Sequence, residues 1–202
     1  MVGVYGNGYT PGQNYDTVKA STFIAGGIAR LTQSPYSYFF TSMQLKVPLC
    51  HNFSGDSARI EVTVKNPSTG PYAFADHDVS ITILGAKNTA QVVFIGYRKE
   101  FTNVSIGSKK ITNLPELLYV FQDYTTNALE AKDGVLNVYN KGTLVFSTPY
   151  KGADRIGNVK GIAIGFKGAG SIDVVKAFNT NSGAQIMQED FNIDGTSNVI
   201  WY

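Results

Sequence analysis

Between residues 133 and 178 the chain alternates between short runs of extended-favouring residues and tight turns. Asp133-Gly134 precedes Val135-Leu136-Asn137-Val138-Tyr139. Asn140-Lys141-Gly142 follows, and then Thr143-Leu144-Val145-Phe146-Ser147-Thr148. After a polar loop, residues 159–166 and 171–178 repeat the theme. Asp-Gly and Lys-Gly pairs tolerate the positive backbone angles of a two-residue hairpin turn, which joins antiparallel neighbours. The gaps between runs leave no room for the crossover helices of a parallel sheet.

The same signals recur upstream. Residues 23–31 and 38–47 read as strands separated by Gln33-Ser34-Pro35. Ala58, Ile60, Val62 and Val64 alternate with Arg59, Glu61, Thr63 and Lys65, a half-buried strand with its polar face in water. Val79, Ile81 and Ile83 alternate with Ser80 and Thr82, and residues 91–97 are more continuously apolar. Residues 102–106 and 184–191 complete the set. Residues 113–117 favour one short helical turn with Pro115 in its first turn, and a strand is expected from Leu118 onward. The expectation is an all-β fold: a two-sheet antiparallel β-sandwich, or jelly roll, of about eleven strands with at most one short helix. Residues 1–20, rich in Gly and Tyr, read as an irregular N-terminal arm or loosely attached edge. Residues 21–202 read as a single sandwich domain.

Composition narrows the chemistry. Charged residues make up 16% of the 202, below the usual quarter, and net charge is +2 without a basic cluster. A phosphate-tracking nucleic-acid surface is therefore not expected. Cys50 is the single cysteine, so no intrachain disulfide forms and the core carries stability. Residues 1–30 lack a charged segment followed by an apolar run, so no signal peptide is read there. No stretch is apolar for long enough to cross a bilayer as a helix, so membrane insertion is not expected. An extracellular or cell-surface location is favoured if the chain is a mature fragment.

The candidate residues are few. Cys50 and His51 are neighbours and point to opposite faces of a strand, which suits no nucleophile–base pair. Asp76-His77-Asp78 places two carboxylates on one side of a strand start, where they could bind sugar hydroxyls or a cation, or do acid–base work. Asn88 and Asn103 are further polar candidates. Asp190-Phe191-Asn192-Ile193-Asp194-Gly195 matches the first half of a calcium loop, with oxygens at alternate positions and a glycine at the bend. Trp201 replaces the glutamate expected at the twelfth position, so any calcium held by Asp190, Asn192 and Asp194 would be a partial, structural site. Tyr36, Tyr72, Tyr97, Tyr124, Tyr150 and Trp201 lie in loop-like contexts where a ring could stack on a sugar, with Tyr72 and Trp201 ranked first.

The run Gly134-Val135-Leu136-Asn137-Val138-Tyr139-Asn140-Lys141-Gly142-Thr143-Leu144-Val145-Phe146 carries a resemblance. With Ile162-Ala163-Ile164-Gly165 and Gly170-Ser171-Ile172-Asp173-Val174-Val175-Lys176-Ala177-Phe178, it resembles the concanavalin A-like lectin/glucanase superfamily, including laminin G-like and carbohydrate-binding jelly rolls. The resemblance implies a sandwich that binds glycans, cleaves them or mediates adhesion. The Glu-x-Asp-x-x-Glu signature of its β-glucanases is absent. The expected function is thus a non-catalytic, lectin-like module for a glycan or polysaccharide, contacting it through Asp76, Asp78, Asn88, Asn103, Tyr72, Tyr97 and Trp201. Two alternatives stay open: a structural or assembly jelly roll (viral coat, fibre or surface layer), which would form a homo-oligomer, and a glycan lyase or hydrolase with an unrecognised site.

Overall fold

A computed structural model describes residues 4–6, 21–25, 28–32, 40–46, 52–66, 78–94, 102–117, 121, 123–167, 170–191 and 200–201. In chain order its strands begin β1 (Val4–Gly6), β2 (Ser21–Ala25), β3 (Ile28–Thr32), β4 (Phe40–Lys46), β5 (Ala58–Lys65), β6 (Val79–Gly85), β7 (Thr89–Phe94) and β8 (Thr102–Ile106). They continue with β9 (Lys109–Thr112), β10 (Thr125–Lys132), β11 (Val135–Asn140), β12 (Thr143–Pro149), β13 (Val159–Lys167), β14 (Gly170–Asn179), β15 (Gln185–Glu189) and β16 (Ile200–Trp201). Short 3-10 turns occupy Gly55–Ser57, Pro115–Leu117 and Gly152–Asp154, and no α-helix occurs among the described residues.

Among the described residues the strands form two sheets, each with eight strands. Sheet one runs β1-β4-β13-β6-β7-β8-β9, with β16 also on β4. Sheet two runs β12-β11-β10-β5-β14-β3-β2, with β15 also on β14. Every pairing is antiparallel. This is the all-β sandwich that the alternation predicts. The shortest strands, such as β1 and β16, carry too few residues to show a period.

The inward rows of both sheets meet in one core. Ala58, Ile60, Val62 and Val64 of β5 are each 0% exposed, as are Val79, Ile81 and Ile83 of β6. Each such aliphatic side chain larger than alanine contributes about 1.5–3 kcal/mol by leaving water. Phe94 meets Phe121 edge to face, with ring centroids 5.6 Å apart. Asn127 and Asn140 face each other on β10 and β11 and are buried without loss. The Asn140 amide donates to Asn127 Oδ1 (2.7 Å), and the Asn127 amide donates to the Thr125 carbonyl (3.0 Å).

Tight turns set the register. Asp133 and Gly134 (φ 51° and 74°) close β10 onto β11, and Lys141 and Gly142 (φ 50° and 78°) close β11 onto β12. Two positive-φ residues in succession match the right-handed twist of the strands they join.

Three local readings change. The single strand expected over residues 23–31 is the hairpin β2–β3, Ala25 pairing with Ile28 and Gly26-Gly27 between them. Of the strand expected from Leu118, Phe121 and Tyr124 lie outside any strand, while residues 118–120 and 122 lie outside the described residues; the next strand starts at Thr125. Central strand β10 was not foreseen, because Ala128-Leu129-Glu130-Ala131-Lys132 are helix-favouring residues. Pairing on both sides, to β5 and β11, overrides that preference. Separately, Val4–Gly6 of the N-terminal arm forms an edge strand on β4. The expected helical turn at Pro115 is present as the 3-10 turn Pro115–Leu117.

Candidate functional site

Alternation on sheet two sends one row of each strand outward, and pairing lines up rows from strands distant in sequence. One register row reads Ser147, Asn137, Glu130, Arg59, Phe178 and Gln185, crossing β12, β11, β10, β5, β14 and β15. The next reads Leu144, Tyr139, Ala128, Glu61, Lys176 and Gln188. Adjacent strands are about 4.8 Å apart, so side chains along a row reach one another.

Arg59 is the centre of this carpet. Its Nε donates to Glu61 Oε1 (2.8 Å) and its Nη1 to Glu130 Oε2 (3.3 Å). The guanidinium lies over the Tyr139 ring, 4.3 Å from its centroid. Ala128 stands between Tyr139 and Glu61 in the row and is only 2% exposed, its small side chain leaving room for that stack. Glu130 is fixed from the other side, since Oε1 accepts from Asn137 Nδ2 (3.1 Å) and from the Tyr139 hydroxyl (2.9 Å). Ser147 in turn donates to Asn137 Oδ1 (2.7 Å).

Electrostatics follow from this geometry. Partial burial alone would lower the Arg59 pKa, but hydrogen bonds and charge from Glu61 and then Glu130 raise it above the ordinary arginine value. The Tyr139 hydroxyl is also raised, first by burial and then by the bond to Glu130. The guanidinium is thus a permanent charge held in one orientation.

Beside this network lies an open depression of about 230 Å³, lined by Arg59, Glu61, Glu130, Lys132, Phe178 and the turn residues Asn179, Thr180 and Gly183. The turn is fastened in place: Thr180 N donates to the Ser57 carbonyl (2.9 Å), and Thr180 Oγ1 to the Ala131 carbonyl (3.3 Å). Two cationic and two anionic side chains line it, with the apolar Phe178 as one wall. Such a surface suits a ligand that both donates and accepts hydrogen bonds and carries an apolar face.

Those residues singled out by sequence whose side chains are described fall elsewhere. Asp78 is 4% exposed just before β6, and its carbonyl accepts from Asn66 Nδ2 (3.1 Å). Asn103 on β8 is 2% exposed, donating to the Val93 carbonyl (3.3 Å) and accepting from Leu114 N (3.1 Å). Asn88 sits past the far end of β6, its amide donating to the carbonyls of Ala153 (2.6 Å) and Arg155 (2.8 Å). The seven residues of β6 separate Asp78 from Asn88, so the structure does not bring these two together. Tyr150, expected in an open loop, is 5% exposed with its hydroxyl donating to Asp56 Oδ1 (3.0 Å). Tyr124 is 41% exposed, with Lys65 Nζ 5.9 Å from its ring centroid. Asp190 follows β15 and is exposed.

Tyr36, Cys50, His51, Tyr72, Asp76, His77, Tyr97, Asn192 and Asp194 lie outside the described residues. Trp201 is described only through the pairing of β16 with β4. Among the described residues, no group of three or more His, Cys, Asp or Glu side chains could hold a metal ion, and no helix is long and apolar enough to cross a membrane.

Sequence reasoning passed over Arg59 and Glu61 as a solvated strand face. Glu130 lay on the unread strand, and Tyr139 and Phe178 entered only through the hairpin pattern. Alternation was the one available signal, and it shows direction without showing partners.

Fold and site together define a two-sheet antiparallel β-sandwich with a charge-balanced polar depression on the outer face of one sheet. The fold is the one that the resemblance to the concanavalin A-like lectin/glucanase superfamily implies. Among solved structures, the chain is similar to a sialidase at a TM-score of 0.54 and 12% identity, over 83% of this chain but only 17% of that one. It is also similar to the carbohydrate binding module CBM66 from Bacillus subtilis (TM-score 0.47, 11% identity, 85% of this chain and 92% of that one). A third is the Bacillus licheniformis beta-glucanase (TM-score 0.46, 13% identity, 84% and 88%). No family model matches the sequence. No curated protein matches it.

Proposed function

We propose that the chain is a non-catalytic carbohydrate-binding domain that takes a glycan on the outer face of sheet two. The observation that carries this reading is the depression around Arg59, where fixed carboxylate, guanidinium and amide groups stand beside Phe178. Sugars present that combination in reverse: hydroxyls that donate and accept, and a C–H face that packs on an aromatic ring. The size, below the roughly 300–1,000 Å³ of pockets for drug-sized ligands, suits a single ring or a chain end. Exposed Tyr124, near Lys65, stands at the opposite end of β5 from Arg59 and is not part of the depression.

A glycan array run with and without chelator tests the reading. Binding to at least one glycan is expected, with no reducing ends or new double bonds released from the bound polysaccharide. Silence across the array in both conditions removes the proposal, and product release removes its non-catalytic part. Calcium at Asp190, Asn192 and Asp194 is a separate proposal resting on the oxygen spacing. Its expected sign is a higher melting temperature on adding calcium, and an unchanged one overturns it.

A further inference from the structure

We infer that Arg59 and Glu61 are the ligand-contacting pair of the depression, and that they select an uncharged glycan presenting two adjacent hydroxyls. This rests on the glycan reading above. Arg59 commits Nε to Glu61 and Nη1 to Glu130 and its guanidinium also interacts with the Tyr139 side chain, leaving Nη2 as the nitrogen without a bond to a carboxylate among the described residues. Glu61 commits Oε1 to Arg59, and its Oε2 is likewise unengaged. Glu130 differs: both of its oxygens are occupied, one by Asn137 and Tyr139 and the other by Arg59. Glu130 therefore positions the guanidinium, and Glu61 with Arg59 faces the ligand.

The pair offers one donor and one acceptor on successive outward positions of β5, in neighbouring register rows. A vicinal diol satisfies both, one hydroxyl donating to Glu61 Oε2 and its neighbour accepting from Arg59 Nη2. Both side chains are oriented before the ligand arrives, which limits the entropy lost on binding.

Charge selects among glycans. The Arg59 guanidinium is already shared by two carboxylates, and Lys132 balances the second negative charge of the depression. An acidic sugar approaching Arg59 would bring a third carboxylate towards Glu61 and Glu130. Like-charge contact in a partly desolvated site is disfavoured and acts as a filter. A neutral sugar meets no such opposition.

Titration calorimetry of the intact chain distinguishes the outcomes. The probes are neutral gluco-, galacto- and manno-oligosaccharides and uronic-acid oligosaccharides of matched length. The proteins are the parent, Glu61→Ala, Glu61→Gln, Arg59→Lys and, as a control on sheet one, Lys160→Ala, with melting temperatures measured alongside. A neutral oligosaccharide is expected to bind the parent and Lys160→Ala equally. Glu61→Ala and Arg59→Lys should weaken it about tenfold or more, the scale of one hydrogen bond to a charged group. Glu61→Gln, which keeps the shape of the side chain, serves if Glu61→Ala fails to fold and should also weaken binding. Tighter binding of the acidic series, or neutral binding indifferent to Glu61 and Arg59, overturns this inference while leaving glycan binding intact. Absence of binding to every oligosaccharide removes both.

Discussion

Tyr150 and Asp56 show how a side chain that reads as available can be committed to structure. Asp56 Oδ1 accepts from the Tyr150 hydroxyl and from Ile156 N, and Oδ2 accepts from Gly157 N. Burial first, and then the Asp56 charge, push the Tyr150 hydroxyl well above the ordinary tyrosine value. A group whose pKa is higher folded than unfolded keeps its proton longer in the native state. Its contribution is whole below the unfolded value of about 10 and is lost as pH rises towards the folded one. Denaturant unfolding from about pH 8 to about pH 11 should therefore show stability falling at the alkaline end. Tyr150→Phe should flatten that limb and cost about 1 kcal/mol at neutral pH. An unchanged limb would mean that Tyr150 does not govern it. Ala128 makes the complementary case by being small. Ala128→Leu should force the Arg59–Tyr139 stack apart, lowering stability by about 1–3 kcal/mol and weakening glycan binding, both measurable on one preparation.

At the scale of the element, hairpins were the most legible part of the chain. Lys141-Gly142 was recognisable because a two-residue connection with a glycine has few conformations open to it. The structure gives both residues positive φ. A Cβ added at Gly142 meets nothing within 4 Å, so Gly142→Ala isolates the backbone term. About 1–2 kcal/mol of destabilisation is expected in chemical unfolding, and no loss would show that φ relaxes there. Strand β10 is the opposite case. Its residues favour a helix, and only the neighbours on either side make it extended. Leu129, 0% exposed, should cost about 2–5 kcal/mol when cut to alanine, as expected for a core leucine; a much smaller loss would place it outside the core. The Gly26-Gly27 hairpin was missed for a simpler reason: the run around it is apolar enough to read as unbroken strand.

Across the whole molecule, loop contacts tie the two sheets together at one end. Asp56 precedes β5 of sheet two, and its carboxylate holds the segment leading into β13 of sheet one. Asn88 after β6 and Asp154 secure the same connection, the latter accepting from Ser108 N (2.9 Å) and Ser108 Oγ (3.0 Å). Asp56→Ala strands two backbone donors and should lower stability by about 3 kcal/mol, read as a lower midpoint in chemical denaturation. A negligible change would show that the sheets hold together through their cores alone.

Hydrophobic alternation by itself determined the sandwich, because a period of two residues leaves each strand one face to bury, and the short turns force antiparallel neighbours. The lone cysteine likewise made the core, without an intrachain disulfide, the source of stability. Only the tertiary structure decided which outward residues meet. Ser147, Asn137, Glu130, Arg59 and Phe178 share a row because strands far apart in sequence pair in one register. Side-chain chemistry at a sheet surface depends on that lateral order, which no local window of residues contains.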